Sequence, residues 1–572
     1  MIFSAPDYPV RIVIRRLFLL MNDIEKKEKW LNCPALTDEL RTLLLSMDDE
    51  TVHDCFYRDL AFGTGGLRGV LGAGTNRMNE FTVMKATRGL GCYLLENYKN
   101  PSCAISYDSR IHSRDFAELA ASVLADMNIT VWIYPQLEPT PMLSFAVRHL
   151  HTSAGIMITA SHNPAQYNGY KVYGADGCQI TLSAAEKIQR EIDLQPELVN
   201  AFPLFQHFLS SGMINWITQD TVEAYYQAVL KLRVRKTDCP VHLVYSPLNG
   251  TGNIPVREIM SRLGNIQVDI VSAQEKPDGH FPTCPYPNPE IREAMQLVIQ
   301  KTIETGADFC FATDPDCDRM GAGVRIEDDV ILISGNDMGI LMLDYLCRNM
   351  QFPSGLPPVV IKTIVSTDMA SAICRKYHLE LRNVLTGFKY IGEQIGLLEN
   401  AGQSDRFLFG FEESYGYLSG TDVRDKDAVN AALLLCDMAA DLKLHGKTMI
   451  DRLDELREEF GLFEQRLLSY QYEGENGLFR MKEIMEDLRR PLNSSADPVL
   501  RNAERTDYMN DHTGLPKSDV LSFSLSDCEK IVIRPSGTEP KLKAYLFTRA
   551  NDHETACQNL DRMQIWVDQK CK

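Results

Sequence analysis

The segment Ala307-Asp-Phe-Cys-Phe-Ala-Thr-Asp-Pro-Asp-Cys-Asp-Arg319 joins an apolar, strand-like run to a loop that carries three carboxylates. Like charges at positions i, i+2 and i+4 raise one another's pKa or force the loop open unless a cation holds them together. An EF-hand begins with the same spacing, but Arg319 and Arg325 stand where it requires Gly and Glu. Hard oxygen ligands suit Mg²⁺ or Ca²⁺, and three carboxylates leave Mg²⁺ open positions for a phosphate oxygen. The segment therefore predicts a buried strand followed by a Mg²⁺ site on Asp314, Asp316 and Asp318, with a solvated acidic turn as the poorer alternative.

Short β-rich runs alternate with amphipathic segments through most of the chain, which predicts the α/β class with parallel or mixed sheets. The predicted strands are Ala104–Tyr107, Val131–Tyr134, Ile156–Ala160, Val241–Tyr245, Phe309–Thr313, Val330–Ser334 and Val359–Val365. The predicted helices are Asp115–Met127, Val222–Leu232, Glu290–Thr305, Asn336–Arg348 and Met449–Phe460. After about Lys447 the pattern changes. Residues 491–518 favour an exposed connector, and three strands beyond it indicate a small α+β unit.

Length and charge exclude several classes of protein. The 572 residues carry 59 Lys and Arg against 77 Asp and Glu, a net charge of −18, which argues against a nucleic-acid or acidic-lipid surface. No apolar run is long enough to span a bilayer. The 15 cysteines form no C-x-x-C pair, so we expect reduced thiols and a cytoplasmic protein. Residues 1–20 lack a small-residue cleavage site after their basic and apolar run, and we expect an extension there and not a secretory signal.

The loop Thr159-Ala-Ser-His-Asn-Pro164 follows a second apolar run. Ser161 at a loop tip can be modified, and His162 and the later Lys171 can assist proton transfer. On local evidence alone a serine-capped turn is the better interpretation.

Three further loops have the composition of anion or sugar sites. Arg534-Pro-Ser-Gly-Thr-Glu-Pro540 combines a guanidinium with hydroxyl and backbone N–H donors, as expected for a phosphate. Gly410-Phe-Glu-Glu-Ser-Tyr-Gly416 offers acceptors for sugar hydroxyls, although a plain turn explains it equally well. Gly63-Thr-Gly-Gly-Leu-Arg-Gly69 lacks the spacing of a dinucleotide site, because Arg68 stands where the third glycine belongs, and that arginine is instead a candidate phosphate contact.

In their order along the chain, these loops resemble those of the α-D-phosphohexomutase superfamily. The Thr159 loop is similar to its phosphoserine loop, the Asp314 loop to its metal loop, the Gly410 loop to its sugar loop and the Arg534 loop to its phosphate loop. The segments at 62–69 and 410–416 are similar to the phosphoglucomutase and phosphopentomutase branch, typified by bacterial α-phosphoglucomutases. Cys317, in place of a common Gly, and an extra Phe411 depart from the pattern.

The resemblance implies three related α/β units with mixed sheets and a smaller, mobile C-terminal α+β unit around a central cleft. We expect the extension at 1–20, a phosphoserine-loop unit at 21–212, a metal-loop unit at 213–325, a sugar-loop unit at 326–448 and a phosphate-binding unit at 449–572.

The resemblance also implies an activity, the interconversion of glucose 1-phosphate and glucose 6-phosphate through phosphoserine and a sugar bisphosphate. It implies Mg²⁺ as cofactor and glucose 1,6-bisphosphate as activator and intermediate. The catalytic residues would be Ser161, His162, Lys171 and Arg68, and the metal ligands Ser161, Asp314, Asp316 and Asp318. The substrate-binding residues would be Arg319, Thr386, Glu412, Ser414, Lys426, Arg534, Ser536, Gly537, Thr538 and Lys543.

Other interpretations stay open at this point. Pentose or mannose phosphates could replace glucose phosphates as substrates. The chain could also be a Mg²⁺-dependent sugar phosphatase or a phosphosugar-binding protein without turnover. We expect a monomer or weak dimer with a small phosphosugar as its partner.

Overall fold

The computed structural model describes residues 22–63, 65–352, 355–472, 474–490, 498–500, 503–535 and 541–572. The expectation for residues 1–20 lies outside this part of the chain. Within it, no helix combines the length and apolar character that crossing a membrane requires.

The first unit contains a six-stranded mixed sheet. Its strands are β1 (Gly66–Val70), β2 (Ser102–Tyr107), β3 (Thr130–Ile133), β4 (Ala154–Ile158), β5 (Tyr167–Gly174) and β6 (Ile214–Trp216). Its helices are α1 (22–31), α2 (Asp38–Ser46), α3 (Asp49–Phe56), α4 (Glu80–Asn97), α5 (Ser113–Asp126), α6 (Thr140–His149), α7 (Leu182–Asp193) and α8 (Phe205–Ser211). The strand order is β1-β5-β4-β2-β3-β6, and β5 runs antiparallel to both of its neighbours. Every residue of β4 is buried, so the loop after it starts from a fixed position in the sheet.

The second unit has a five-stranded mixed sheet in which the predicted metal loop joins two neighbouring strands. Its strands are β7 (Val241–Ser246), β8 (Ile266–Ile270), β9 (Phe309–Thr313), β10 (Met320–Ile326) and β11 (Asp329–Ile333). Its helices are α9 (Gln219–Lys231), α10 (Asn253–Leu263), α11 (Ser272–Glu275) and α12 (Arg292–Thr305). The order is β11-β10-β9-β7-β8, with β9 and β10 antiparallel. Residues 314–319 form the turn between them, so the three aspartates lie at the end of a buried strand, as predicted.

The third unit contains a four-stranded mixed sheet and a helix that is buried over most of its length. Its strands are β12 (Val359–Thr363), β13 (Glu380–Val384), β14 (Phe407–Glu412) and β15 (Gly416–Leu418), in the order β13-β12-β14-β15. Its helices are α13 (Gly335–Asn349), α14 (Met369–Lys376), α15 (Lys389–Asn400) and α16 (Ala428–Leu444). Helix α16 is buried from Ala428 to Leu442 and lies in the largest hydrophobic cluster, which also includes residues of the first and second units. Apolar side chains of α16 pack on all of its sides, while its buried Asp437 and Asp441 pair with Arg233 and Arg235. Helix α16 therefore fixes the segment just before it, which carries Lys426.

The C-terminal unit has a five-stranded sheet that is antiparallel throughout. Its strands are β16 (Leu462–Gln471), β17 (Glu504–Asp507), β18 (Leu521–Ser526), β19 (Glu529–Pro535) and β20 (Lys541–Ala550), in the order β16-β20-β19-β18-β17. Its helices are α17 (Met449–Phe460), α18 (Gly474–Arg489) and α19 (His553–Cys571). The predicted fold class, three mixed-sheet α/β units followed by a smaller α+β unit, is confirmed.

Strand pairing differs from the expected organisation at three places. Ile214–Trp216 pairs with β3 of the first sheet and Asp329–Ile333 pairs with β10 of the second, so both sheets extend past the boundaries expected at 212 and 325. Glu504–Asp507 pairs with β18 inside the stretch that was expected to be an exposed connector. Backbone pairing stabilises this short polar strand although its side chains carry no strand pattern. The unit boundaries themselves stay predictions.

Candidate active site

Ser161 lies at the start of the loop that follows β4, in the left-handed region with φ of 52°. A residue with a Cβ is rarely found there unless its surroundings hold it. Thr159 Oγ1 accepts a hydrogen bond from the Ser161 backbone N–H at 2.8 Å. The Ser161 hydroxyl is 3.1 Å from His162 Nδ1 and donates to Asp314 Oδ2 at 2.8 Å. The nucleophile candidate of the first unit therefore contacts the aspartate loop of the second.

The three aspartates lie close together and are almost completely buried. Their candidate ligand oxygens are all within 4.8 Å of one another. Asp314 Oδ1 accepts hydrogen bonds from the backbone N–H groups of Asp318 and Arg319, at 3.1 and 3.0 Å. Burial, together with the charges of its two neighbours, raises the pKa of Asp314 well above the usual range for a carboxyl. Such a cluster is unfavourable without compensating positive charge.

The oxygens of the cluster fit a divalent cation. Asp316 Oδ1 and Asp318 Oδ1 are buried and have no hydrogen-bond partner in the described part of the chain. Buried acceptors without donors are costly, and a metal ion would satisfy them. Three carboxylate oxygens beside the Ser161 hydroxyl form an all-oxygen donor set of the kind that Mg²⁺ prefers. The structure thus brings together all four predicted ligands.

Two lysines compensate part of the aspartate charge. Lys171, on β5, is 2.8 Å from Asp316 Oδ2 and 3.5 Å from Asp318 Oδ2, while Lys426 is 3.1 Å from Asp318 Oδ2 and from Asp425 Oδ1. Burial opposes the charged form of Lys171, but the two aspartates outweigh it and raise the pKa of its ammonium group. Burial alone would raise the pKa of Asp316, but the charge of Lys171 lowers it below its usual value. Both lysines are therefore charged and face the metal loop.

The first unit contains two other predicted catalytic residues, His162 and Arg68. His162 lies in the Ser161 loop, and Arg68 contacts that loop. Burial, followed by the positive charges of Arg319 and Arg68, lowers the pKa of His162 well below its usual value, so the imidazole is neutral near pH 7. Arg68 is exposed on β1, and its Nη1 donates to Asn163 Oδ1 at 3.3 Å. Gly66, with φ of 153°, lets β1 approach β5 closely, since a Cβ there would lie 1.9 Å from the Tyr170 carbonyl oxygen.

Arg319 links the metal loop to the predicted sugar loop. Its backbone forms a bridge with Gly416, and its guanidinium lies 2.8 Å from Glu290 Oε1 and 3.9 Å from Glu412 Oε1. Glu412 ends the buried strand β14, and burial raises its pKa to about 7 against the opposing charges of Lys426 and Arg319. Glu413 beside it accepts from Thr363 Oγ1 at 2.9 Å and from Ser414 Oγ at 3.5 Å.

Two of the predicted phosphate contacts, Arg534 and Lys543, belong to the C-terminal sheet. Arg534 on β19 is the cross-strand partner of Lys543 on β20. Burial, followed by the neighbouring charge of Arg534, lowers the pKa of Lys543, while Glu290 and Glu413 oppose that change. These acids belong to the second and third units, so β20 faces the same cleft. Arg534 Nε is buried without a hydrogen-bond partner among the residues that the structure describes. Ser536, Gly537 and Thr538 lie outside the described residues, and Thr386 is half-buried, two residues after β13.

The structure adds three site residues that lie outside the phosphoserine, metal, sugar and phosphate loops. Arg110 Nη1 and Nη2 donate to backbone carbonyls of the Ser161 loop. Thr140 Oγ1 donates to Asp316 Oδ2 at 2.9 Å, and Glu290 pairs with Arg319. The run Glu138-Pro-Thr-Pro141 was the available signal for Thr140, because its prolines mark the start of α6, where proline is common.

Family profiles match most of the chain. The alpha/beta/alpha domains I, II and III of the phosphoglucomutase/phosphomannomutase family match residues 59–197, 223–326 and 334–460. The chain belongs to the α-D-phosphohexomutase superfamily. The predicted family is thereby confirmed.

Several relatives extend over nearly the full length. A phosphoglucomutase of Staphylococcus aureus strain MRSA252 is 36% identical over 551 residues, which cover 94% of this chain and 98% of the relative. A phosphoglucomutase of Staphylococcus epidermidis strain ATCC 35984 is 35% identical over 516 residues, covering 88% and 93%. The predicted activity agrees with the names of both relatives.

Solved structures support the fold. The open form of parafusin, a phosphoglucomutase from Paramecium, has a TM-score of 0.67 at 17% identity and covers 90% of this chain and 95% of its own. A phosphoglucomutase/phosphomannomutase family protein from Burkholderia thailandensis has a TM-score of 0.66 at 18% identity, covering 89% and 97%.

Proposed function

We propose that this chain is a phosphosugar mutase that interconverts glucose 1-phosphate and glucose 6-phosphate through a phosphorylated Ser161. The observation that carries the proposal is the 2.8 Å contact between the Ser161 hydroxyl and Asp314. In this contact a hydroxyl that can carry a phosphoryl group lies at the edge of the oxygen cluster suited to Mg²⁺.

Asp314, Asp316 and Asp318 would hold Mg²⁺ together with an oxygen of the Ser161 phosphate. The ion supplies charge neutralisation during phosphoryl transfer. The other compensating charges come from the protein, with Lys171 and Lys426 on the metal-loop side and Arg319 toward the sugar loop. Phosphoryl transfer depends mainly on positioning and electrostatics, and this arrangement supplies both.

The reaction consists of two transfers that balance each other. In the first, a hydroxyl oxygen of the sugar monophosphate attacks the Ser161 phosphorus, the bond to Ser161 Oγ breaks, and a sugar bisphosphate forms. The bisphosphate turns around, and its other phosphoryl group passes back to Ser161 Oγ, which releases the isomeric monophosphate. Of the two candidates for proton transfer, His162 is neutral, lies 3.1 Å from Ser161 Oγ and is the better proton acceptor. Lys171 is charged and is the better proton donor.

The substrate side has two groups of candidate contacts. Glu412 and Ser414 would accept and donate hydrogen bonds to sugar hydroxyls, and Arg534 with Lys543 would bind the phosphate that is not reacting. Glucose 1,6-bisphosphate would then act as activator, because it can phosphorylate Ser161 directly. Ser536, Gly537, Thr538, Thr386 and Arg68 belong to this proposal on the family resemblance. Cytoplasmic location and a monomeric or weakly dimeric state stay predictions.

Turnover of a panel of sugar phosphates tests the proposal. Glucose, mannose, ribose and deoxyribose 1-phosphates are offered with Mg²⁺ and the matching bisphosphate, and product isomer and free phosphate are both measured. We expect glucose 1-phosphate to be isomerised fastest, with little free phosphate. Rapid ribose phosphate turnover without glucose phosphate turnover would make the chain a phosphopentomutase, and free phosphate in place of isomer would make it a phosphatase.

Two serine variants complete that test. Ser161→Ala should abolish isomerisation, because no other residue receives the phosphoryl group. Ser122→Ala is the matched control, since Ser122 is equally buried but only donates to the Glu118 carbonyl within α5. Full activity of Ser161→Ala would refute the phosphoserine mechanism.

A further inference from the structure

Arg110 is a completely buried arginine directly behind the Ser161 loop. Its side chain has no solvent exposure, and it follows β2, outside the four loops with recognisable motifs. A buried charge is costly unless it is paired and fully hydrogen-bonded. The contacts of Arg110 therefore indicate why an arginine occupies this position.

The guanidinium makes one hydrogen bond with each of four backbone carbonyls, three in the Ser161 loop and one in the first residue of β5. Nη1 donates to Pro164 O at 2.9 Å and to Tyr167 O at 3.0 Å, and Nη2 donates to Ser161 O at 2.5 Å and also to Asn163 O. All four Nη hydrogens are thereby used on residues 161–167. Only arginine has a planar fork with enough donors for this, because lysine has three donors on a single nitrogen.

The other side of Arg110 is held by one carboxylate and one aromatic ring. Nε lies 3.3 Å from Asp108 Oδ2, and Asp108 Oδ1 accepts from the Arg110 backbone N–H and from Ser113 Oγ. Phe281, from the second unit, has its ring centroid 5.0 Å from Arg110 Cζ. Gly279 allows this approach, since a Cβ there would lie 2.5 Å from the Ile111 nitrogen. Arg110 thus lies between the Ser161 loop and a segment of the unit that carries the aspartates.

The strained conformation of Ser161 needs such support. Its φ of 52° is held while its hydroxyl stays 2.8 Å from Asp314 of the other unit. The carbonyl of Ser161 is bound by Arg110 on one side of the residue, and its N–H by Thr159 on the other. Errors of about 1 Å in the position of a reacting group can cost about 100-fold in rate.

We propose that Arg110 is a positioning residue that fixes the Ser161 loop against the aspartate loop, so that the phosphoryl group on Ser161 is delivered to the sugar and not to water. Arg110 does not touch the reacting atoms. It acts through the loop backbone, and the inference rests on the proposed function of Ser161.

Arg110→Lys is the first test, with Arg452→Lys as the matched control. Lysine keeps the charge beside Asp108 but cannot bind four carbonyls. Arg452 is also a mostly buried arginine, bound by two hydrogen bonds to Asp344. The wild type and both variants are phosphorylated with glucose 1,6-bisphosphate, and the transfer of labelled phosphate to glucose 6-phosphate and to water is followed.

We expect Arg110→Lys to lower kcat by about 100-fold with little change in KM, and to raise the ratio of water to sugar transfer about tenfold or more. Arg452→Lys should lose stability and keep the wild-type kcat and ratio. A purely structural role would give Arg110→Lys a lower melting temperature with wild-type kcat and ratio, and that result would overturn the inference.

A second variant keeps the inference testable if Arg110→Lys does not fold. Asp108→Asn retains the shape at that position but removes the charge that faces Nε, and we expect kcat to fall about tenfold with a raised share of water transfer. Unchanged kinetics of this variant would also overturn the inference. Failure of the proposed function looks different, because the wild type itself would then either carry no phosphate on Ser161 or pass that phosphate mainly to water.

Discussion

The Glu412 carboxyl lies in a buried setting that shifts its titration toward neutral pH. Burial raises its pKa to about 7, although Lys426 and Arg319 oppose the shift. If the carboxylate accepts hydrogen bonds from sugar hydroxyls, the charged form is the active one. We therefore expect kcat/KM for glucose 1-phosphate to fall as pH drops below about 7, by up to about tenfold per pH unit. Steady-state rates between about pH 5.5 and 8.5 measure this.

The variant Glu412→Gln distinguishes the titration of this carboxyl from the titration of the substrate phosphate, which has a pKa of about 6. The variant should be slow and should retain only the substrate's own titration. Identical pH profiles of wild type and variant would contradict the role of Glu412.

Lys171 carries a second prediction at this scale. Its ammonium lies 2.8 Å from Asp316, and the aspartates keep it charged. Lys171→Met removes a proton donor and a charge next to the transferred phosphoryl group, so kcat should fall by about 10² to 10⁴-fold. Lys443→Met, which breaks an exposed pair with Asp308, is the control and should leave kcat unchanged. An equal effect of the two variants would count against a catalytic role.

Individual residues differ in how far the sequence predicts them. Ser161 and the three aspartates stand in short loops after apolar runs, where side-chain type and spacing limit the possible chemistry. Arg110 and Glu290 have no such local signal, because their partners are backbone carbonyls and an arginine brought close only by the fold. Their roles depend on contacts between distant parts of the chain, which spacing along the sequence does not report.

His112, at the start of α5, pairs with acids of α2 and α5, and its charge depends on pH. His112 Nδ1 lies 3.1 Å from Asp115 Oδ2, and Nε2 lies 3.3 Å from Glu39 Oε1. The hydrogen bond with Asp115, helped by Glu39 and opposed by burial, raises the pKa of His112 to about 9. Since the unfolded value is near 6.5, this contribution to stability is complete below about pH 6.5 and is lost as pH rises through about 9.

The variant His112→Asn should therefore melt below the wild type at pH 6, and the difference should vanish above about pH 9. Asparagine tolerates the left-handed backbone at this position, where φ is 62°. Melting temperatures of both proteins across this range give the answer. A difference that does not depend on pH would exclude the charge of His112 as its cause.

Secondary-structure elements were predictable where one face or a whole strand is apolar. The predicted bounds of β9 and α17 agree with the structure, because each has a clear pattern between polar ends. The sequence does not predict strand β17, because its residues Glu504–Asp507 are polar and show no strand pattern. Pairing with β18 orders them. Strand β6 has only three residues, which carry too little pattern to predict a strand, and its pairing with β3 places it in the first unit.

At the scale of the whole molecule, three of the units meet around the aspartate cluster. Ser161 comes from the first, the aspartates from the second and Lys426 from the third. We expect chelation to abolish turnover and Mg²⁺ to restore it, because Asp316 and Asp318 have carboxylate oxygens for which the described residues provide no hydrogen-bond donor. Mg²⁺ should also raise the melting temperature, since a ligand at about 100 times its Kd stabilises by about 2.7 kcal/mol.

The variant Asp316→Asn should weaken both effects of Mg²⁺, and Asp329→Asn, an exposed aspartate, should retain them. Full Mg²⁺ response of Asp316→Asn would place the ion elsewhere. The net charge of the protein is −18. An anionic substrate can nevertheless bind, because lysine and arginine side chains are concentrated in the cleft.

The phosphorylation state of Ser161 tests the central claim most directly. The purified protein is incubated with Mg²⁺ and glucose 1,6-bisphosphate, and its intact mass and peptide masses are measured before and after addition of excess glucose 6-phosphate. We expect one phosphoryl group on Ser161 that is transferred to the sugar at the rate of turnover, and none in Ser161→Ala. Turnover without phosphate on Ser161, or with phosphate on another residue, would contradict it.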